Sequence, residues 1–324
     1  MRELFIGVDI GGTNVKIGVI HREGDLILQK KIPTRQTGIY TDVLDDMAKE
    51  ILSLKNDFPD DKLCYVGVGI AGQVDVAEGF YYEGPNMKGW KDIAIAKELQ
   101  ARVHIPVIID NDANVAALGE ALFGAGKGCN SLLAVTLGTG VGGGLVFDGE
   151  VFRGARDAAG EFGHMVIKFD GWPCACGRQG CVEAYVGTQG ILRSLREKIE
   201  TGRSTSLSTL PFEKIMPRDI SIAADTGDSI AIEVLRETGE YLGHALADAA
   251  NLLNLERVVV SGGVANAGER ILGPARETAK SKALRVPGET LEVVHAALGD
   301  IAGLVGAAAL ALQTFDKQAS QAQD

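Results

Sequence analysis

The chain opens on ELFIGVDI, a β-branched apolar run, followed by the turn GGTN and by VKIGVIHREGDLILQKKI, two further apolar runs split by a short polar turn. Loops this short join antiparallel neighbours, so the pattern predicts a three-strand meander with the glycines in its first hairpin. Residues 41–55 place Val43, Leu44, Met47, Ile51 and Leu54 at helical spacing, and LCYVGVGIAG is the continuous apolar run of a strand buried in a parallel sheet. Asp92 to Val103 reads as a helix and PVIID as a strand. Meander, helix, strand, helix and strand make one α/β domain ending near residue 110.

The opening theme then returns. VTLGTGVGGGLVFDGE lies on VDIGGTNVKIGVIHRE, matching Val135 with Val8, Gly138 with Gly11, Val146 with Val19 and Glu150 with Glu23. Glycine-rich sequence can produce such matches by chance, but both copies read strand, glycine loop, strand, which favours two related halves. Helical patterns follow at 183–199 and 228–253, then a strand at RVVVSGG, a helix at 267–283, a strand at ETLEVVHAAL and a closing helix from Ile301. The expected division is residues 1–111 with 301–324, the last helix returning to the first domain, and residues 112–300.

Composition narrows the class. The 324 residues are 46% hydrophobic and 23% charged with 42 glycines and 9 prolines, a globular composition long enough for two domains and a cleft. Lys and Arg total 32 against 43 Asp and Glu, a net charge of -11 gathered around no basic stripe, so nucleic acid is not an expected partner. Neither a leader pattern nor an apolar run of membrane-spanning length is present, and a cytoplasmic protein without a membrane partner is expected. Cys64 and Cys129 stand alone, whereas Cys174, Cys176 and Cys181 crowd together, which is no disulfide framework.

Three glycine-rich signals compete. Gly138, Gly140 and Gly143 have dinucleotide-binding spacing, but a strand follows where that fingerprint needs a helix. Gly124, Gly126 and Lys127 resemble the tail of a P-loop whose first glycine is missing and where Gly128 replaces the hydroxyl residue. The remaining signal is the pair of hairpins, Gly11, Gly12, Thr13 and Gly138, Thr139, Gly140. Bare backbone there lets N–H groups converge on anionic oxygens, although a tight turn needing positive φ would use the same residues.

The context favours a polyphosphate held between the two loops. Asp9 ends the first strand, where a carboxylate can bind Mg²⁺, and Lys16 follows on the next. Gly262 and Gly263 sit at a strand-to-helix junction that suits either a nucleoside or a plain turn. In IIDNDANVAALGE, Asp110, Asn111 and Asp112 stand where a strand runs out and a helix begins, the place for a ligand in an open α/β sheet or for a helix cap.

DIGGTNVK, LGTGVGGGLVFDGEVFRGARDAAGEFGH and CACGRQGCVEAY, in this order and with EGPNMKGW and IDNDANVAALGE between, resemble the ROK (repressor, ORF, kinase) family of sugar kinases over nearly the whole chain. The resemblance is strongest to the bacterial ATP-dependent glucokinases. It implies an α/β fold of two actin-like (ribonuclease H-like) ATPase domains facing an interdomain cleft. It implies Asp112 as the base for the sugar hydroxyl, and Asn111, Glu161, His164 and Glu183 as sugar contacts with Gly72, Gln73 and Asn86. The nucleotide and Mg²⁺ would fall to Asp9, Gly11, Gly12, Thr13, Asn14, Lys16, Gly138, Thr139, Gly140, Gly262 and Gly263. Phosphoryl transfer asks mainly for positioning and charge neutralisation, so an Asp of ordinary pKa would suffice as the base.

His164 with Cys174, Cys176 and Cys181 offers one imidazole and three thiolates, the ligand set of a closed structural Zn²⁺ site; the alternative is reduced thiols beside a core histidine. Such a metal would tie the Cys loop to His164, whose other ring nitrogen could then point at the sugar. The remaining histidines, Trp90 and Trp172 carry no partner pattern. The expected activity is ATP-dependent phosphorylation of glucose at its 6-hydroxyl by a homodimer or homotetramer. N-acetylglucosamine, N-acetylmannosamine, mannose or fructose as acceptor, polyphosphate as donor, and a sugar-sensing regulator remain open.

Overall fold

The apolar runs of the opening segment become strands, the first two buried along most of their length. In the computed structural model, which describes every residue except Gln36, Pro85, Asn86, Gln323 and Asp324, β1 (Glu3–Ile10), β2 (Asn14–Ile20) and β3 (Leu26–Pro33) form the antiparallel meander. α1 (Tyr40–Asp57) buries Val43, Leu44, Met47, Ile51 and Leu54, and β4 (Lys62–Ile70) pairs parallel to β1. A small hairpin of β5 (Gln73–Asp75) and β6 (Phe80–Glu83) leads to α2 (Ile95–Val103), to β7 (Val107–Asn111), parallel to β4, and to α3 (Asp112–Phe123). α2 begins three residues later than its pattern suggested, because Asp92 takes φ 54° and Ile93 bridges to Tyr81.

The second half runs through β8 (Ser131–Leu137), β9 (Val141–Phe147) and β10 (Glu150–Val151) to α4 (Glu183–Val186), α5 (Thr188–Glu200), α6 (Pro217–Asp225) and α7 (Ser229–Leu253). It ends with β11 (Arg257–Ser261), α8 (Glu269–Lys282), α9 (Arg285–Thr290), β12 (Glu292–His295) and α10 (Ala302–Gln321). The helix expected over 183–199 is broken at Gly187, which leaves helical geometry at ψ 168°. The strand expected from Glu289 is cut to four residues, since Arg285–Thr290 coils into α9.

One sheet has the order β3-β2-β1-β4-β7 and the other β10-β9-β8-β11-β12. Each is a hairpin on one side of a central strand with two parallel strands on the other, so the repeat read from the two glycine hairpins extends to whole sheets.

The chain groups into two compact units, residues 1–128 with 144–160 and 300–324, and residues 129–143 with 161–299. This differs from a division at 111 and 300 in two places. α3 joins the first unit because Gly119 and Gly306 let it touch α10 backbone to backbone, a Cβ at Gly306 lying 1.6 Å from the Val115 carbonyl oxygen. Residues 144–160 join it because Gly144 lies against Ala113, and Arg153 reaches Asp110.

In the first unit Leu4, Ile6, Val8 and Ile10 pack with the buried faces of α1 and α2, while Phe5, Ile20 and Tyr65 pack with Ala308, Ala311 and Leu312 of α10. Gly18, Gly7 and Gly67 stand in register across β2, β1 and β4, and a Cβ at Gly7 or Gly67 would lie about 2 Å from a carbonyl oxygen of α10. The sheet is bare there so that the small-residue face of α10 can seat on it. In the second unit Gly239 and Gly243 do the same for α7 against α8. Among the described residues no helix is long and apolar enough to cross a membrane.

Candidate active site

The first unit gathers its polar residues at the carboxyl ends of its parallel strands. Asp9, Gly69 and Asp110 lie in register across β1, β4 and β7, so the outer two are about 10 Å apart along the sheet. A Cβ on Gly69 would strike Val115 at 2.5 Å and lie 3.7 Å from the Asp112 Cα, so the missing side chain lets the start of α3 settle over β4.

Asn111 is the N-cap of α3: its Oδ1 accepts the N–H of Ala113 at 2.9 Å and of Asn114 at 3.3 Å. Its Nδ2 donates to the Gly72 carbonyl at 3.0 Å. The amide therefore has one hydrogen left and can act on a further ligand as a donor. Gly72 takes φ 134° with the Glu83 carbonyl 2.4 Å from where its Cβ would be, so only glycine fits there. Gln73 follows on β5 and is exposed, and Asn86 lies outside the described residues.

Asp112 accepts the Ala113 N–H at 3.0 Å. Burial pushes its carboxyl above the ordinary value of 3.8, and the charge of Asp9 adds to the push. An ordinary pKa would suffice for a base here, and the site gives Asp112 a raised one. Tyr81, fully buried and unremarked in the sequence, sets its ring against Gly72 and its hydroxyl against Gly84 and donates to the Ala71 carbonyl at 3.3 Å; burial, Asp112 and Glu83 push its hydroxyl to about 12.

Lys16 stands opposite Asp9 on the hairpin, its Nζ 3.2 Å from the Asp9 carboxylate and 2.9 Å from the Asp300 carbonyl. The turn is closed by Gly11 N–H to the Asn14 carbonyl at 3.0 Å, and Thr34 donates to the Gly11 carbonyl and to that of Thr13. None of Gly11, Gly12, Gly138 and Gly140 lies in the left-handed region, so a positive φ is not why they are glycine.

In the second unit the Gly138 N–H donates to the Gly140 carbonyl across the second turn, and Thr188 donates twice to the Gly138 carbonyl. A Cβ on Gly138 would meet nothing closer than 3.9 Å and one on Gly263 nothing within 4 Å: both present open backbone, a cradle that a side chain would fill. Gly140 is confined by the Glu183 carboxylate, 2.7 Å from its would-be Cβ, and Gly262 takes φ 94° against Leu137. Thr139 is exposed beside them.

His164, Cys174, Cys176 and Cys181 bring one ligand atom each to within 4.8 Å of one another. A tetrahedral ion with metal–sulfur bonds of ~2.3 Å has edges near ~3.8 Å. Cys176 and Cys181 Sγ are 3.7 Å apart and Cys174 Sγ is 3.8 Å from His164 Nδ1, so the four residues fit a Zn²⁺ ion. Burial pushes the Cys174 thiol to about 12, whereas the Arg178 backbone N–H holds Cys176 near about 6. His164 turns Nδ1 to this cluster, leaving Nε2 4.0 Å from the exposed Glu161 carboxylate. Glu183 accepts the Cys174 S–H at 3.3 Å and, on its other oxygen, the Val141 N–H. Trp172, in the Cys loop, stacks on Tyr185 at 4.7 Å.

The chain matches the ROK family over residues 5–314. It is 37% identical to a glucokinase of Halalkalibacterium halodurans over 310 residues, 93% of each chain. A ROK family glucokinase of Streptomyces griseus, solved with glucose and AMPPNP, superposes with a TM-score of 0.78 and 34% identity over 96% of this chain and 99% of that one. A ROK family transcriptional regulator, a homologue of the E. coli MLC protein, superposes at 0.86 with 27% identity over 97% of this chain and 79% of its own. The two repeated α/β sheets, the glycine hairpins and these likenesses make the chain a member of the ROK family.

Proposed function

We propose that this chain transfers the γ-phosphoryl group of ATP to the 6-hydroxyl of glucose, giving glucose 6-phosphate and ADP. The observation that carries the reading is Asp112, a carboxylate of raised pKa at the first turn of α3, next to a capping amide with one free donor and on the same strand ends as the Asp9–Lys16 pair. The glucokinases at 37% and 34% identity support glucose as the acceptor.

In this mechanism the 6-oxygen attacks the γ-phosphorus while Asp112 takes its proton. The new O–P bond forms as the bond to the bridging oxygen of ADP breaks. Asn111 donates its remaining hydrogen to a neighbouring hydroxyl, and Glu161, Glu183 and His164 Nε2 read others, an unmatched buried polar group being costly. The backbones of Gly11–Thr13 and Gly138–Gly140 and the Lys16 ammonium hold the phosphates, and Gly262 and Gly263 leave room for the nucleoside. Mg²⁺ held through Asp9 would neutralise phosphate charge. Zn²⁺ held by His164, Cys174, Cys176 and Cys181 would supply a fixed cross-link with no open position for a reacting water. We take the enzyme to be a cytoplasmic homodimer or homotetramer, in keeping with cysteines that form no disulfide and with the exposed Leu252, Leu284 and Val286 of the second unit.

The test is ADP release from Mg-ATP with glucose, mannose, fructose, N-acetylglucosamine and N-acetylmannosamine, beside Asp112→Asn. Glucose should stimulate turnover most, and the Asn variant should lose orders of magnitude in kcat at nearly unchanged glucose affinity. Stimulation by another sugar would rename the substrate. No stimulation, with ATP and sugar still bound, would leave a sugar-sensing regulator.

A further inference from the structure

Asp110 is fully buried, and its two carboxylate oxygens join the turn that carries the candidate base to the loop after β10. Its Oδ2 accepts from Arg153 Nε at 2.8 Å and lies 2.7 Å from Arg153 Nη2. Its Oδ1 accepts the Asn111 backbone N–H at 2.7 Å and Asn114 Nδ2 at 2.9 Å. Arg153 lies 43 positions away, just past β10, on a loop fastened twice more: the Arg153 carbonyl accepts the Ala159 N–H at 3.0 Å, and Asp157 accepts the Val76 N–H of the β5–β6 hairpin at 3.0 Å.

We infer that Arg153 is a positioning residue: its two-pronged grip on Asp110 fixes the β7–α3 turn and thereby aims Asp112 at the acceptor hydroxyl. This rests on the kinase reading above. A planar guanidinium offers two directed donors where lysine offers a rotating point charge, so it sets orientation as well as charge. Its positive charge also balances a buried carboxylate two residues from Asp112. An apolar pair could fill that volume at little cost in stability, so keeping ions there argues for geometry. Arg153 touches no reacting atom; it acts through Asp110.

Arg153→Met, Arg153→Lys and the double variant Arg153→Met with Asp110→Asn are to be compared with wild type. The readouts are kcat for glucose phosphorylation, glucose binding by calorimetry and the thermal unfolding midpoint. Misplacing a reacting group by about 1 Å costs roughly 100-fold. Arg153→Met should therefore lose roughly 30- to 100-fold in kcat with glucose Kd within about threefold, and Arg153→Lys should fall between it and wild type. The double variant, with no unpaired buried charge, should regain the unfolding midpoint without regaining kcat, and it serves if the single variant does not fold. A kcat within threefold of wild type, recovery of kcat together with the midpoint, or a loss of glucose affinity in step with kcat would each overturn the inference. Wild-type enzyme without hexose-dependent turnover would take down the kinase reading first and this inference with it.

Discussion

Glu183 Oε2 accepts the backbone N–H of Val141 at 3.0 Å, so the carboxylate expected to read a sugar also anchors the first residue after the second glycine turn. Removing it should act on both substrates. Loss of a charged hydrogen bond is worth roughly 1.5–3 kcal/mol, so Glu183→Ala should raise the glucose KM roughly 10- to 100-fold. The ATP KM should also rise, through the loosened hairpin. Steady-state kinetics with each substrate varied in turn checks this, and an unchanged ATP KM would separate Glu183 from the phosphate loop.

The pH dependence of kcat/KM follows from Asp112. The base works when deprotonated, and burial followed by the Asp9 charge raises its pKa above 3.8, so activity should fall with decreasing pH at values above the ordinary carboxylate range. Removing a raising charge lowers a pKa. The residual activity of Asp9→Asn should therefore keep its acid limb displaced part of the way down, the burial contribution remaining.

Metal removal tests the cross-link between Cys loop and His164. Stripping the ion, or replacing Cys176 with Ser, should lower the unfolding midpoint and raise the glucose KM about tenfold or more, because His164 Nε2 loses its fixed direction. Retention of full glucose affinity by metal-free protein would overturn it. Trp172, stacked on Tyr185, gives an optical signal for the same loop.

Two glycines of opposite kind give a paired prediction. Gly138→Ala meets open space, so it should leave the unfolding midpoint unchanged while raising the ATP KM, the added methyl occupying the phosphate cradle. Gly306→Ala would drive a methyl to 1.6 Å from the Val115 carbonyl oxygen and should cost about 1–3 kcal/mol of stability or more. Thermal unfolding and ATP kinetics on both variants suffice.

What the sequence disclosed was whatever local periodicity or local chemistry writes into it. The meander, α1, β4 and the closing helix carry continuous apolar runs or helical spacing, and the four metal-ligand residues lie within 18 positions. The break at Gly187 was hidden because its neighbours keep apolar spacing on both sides. Arg153 was hidden for a different reason: a single arginine on an irregular loop has no period, and its partner is 43 residues away. Tyr81 carries no mark in the sequence that separates it from other strand aromatics, and only the fold sets Gly72 against its ring and Gly84 against its hydroxyl.

The seating of α10 on Gly7, Gly18 and Gly67 also bears on synthesis of the chain. The first-made strands cannot receive their covering helix until residues 302–321 have emerged, and at roughly 5–20 residues per second the stretch from 129 to 301 takes on the order of ten to thirty-five seconds. For that interval the nascent sheet exposes one apolar face, with Phe5, Ile20 and Tyr65 on it. Chaperone occupancy on the ribosome should be greatest in that window and should end when the last helix docks.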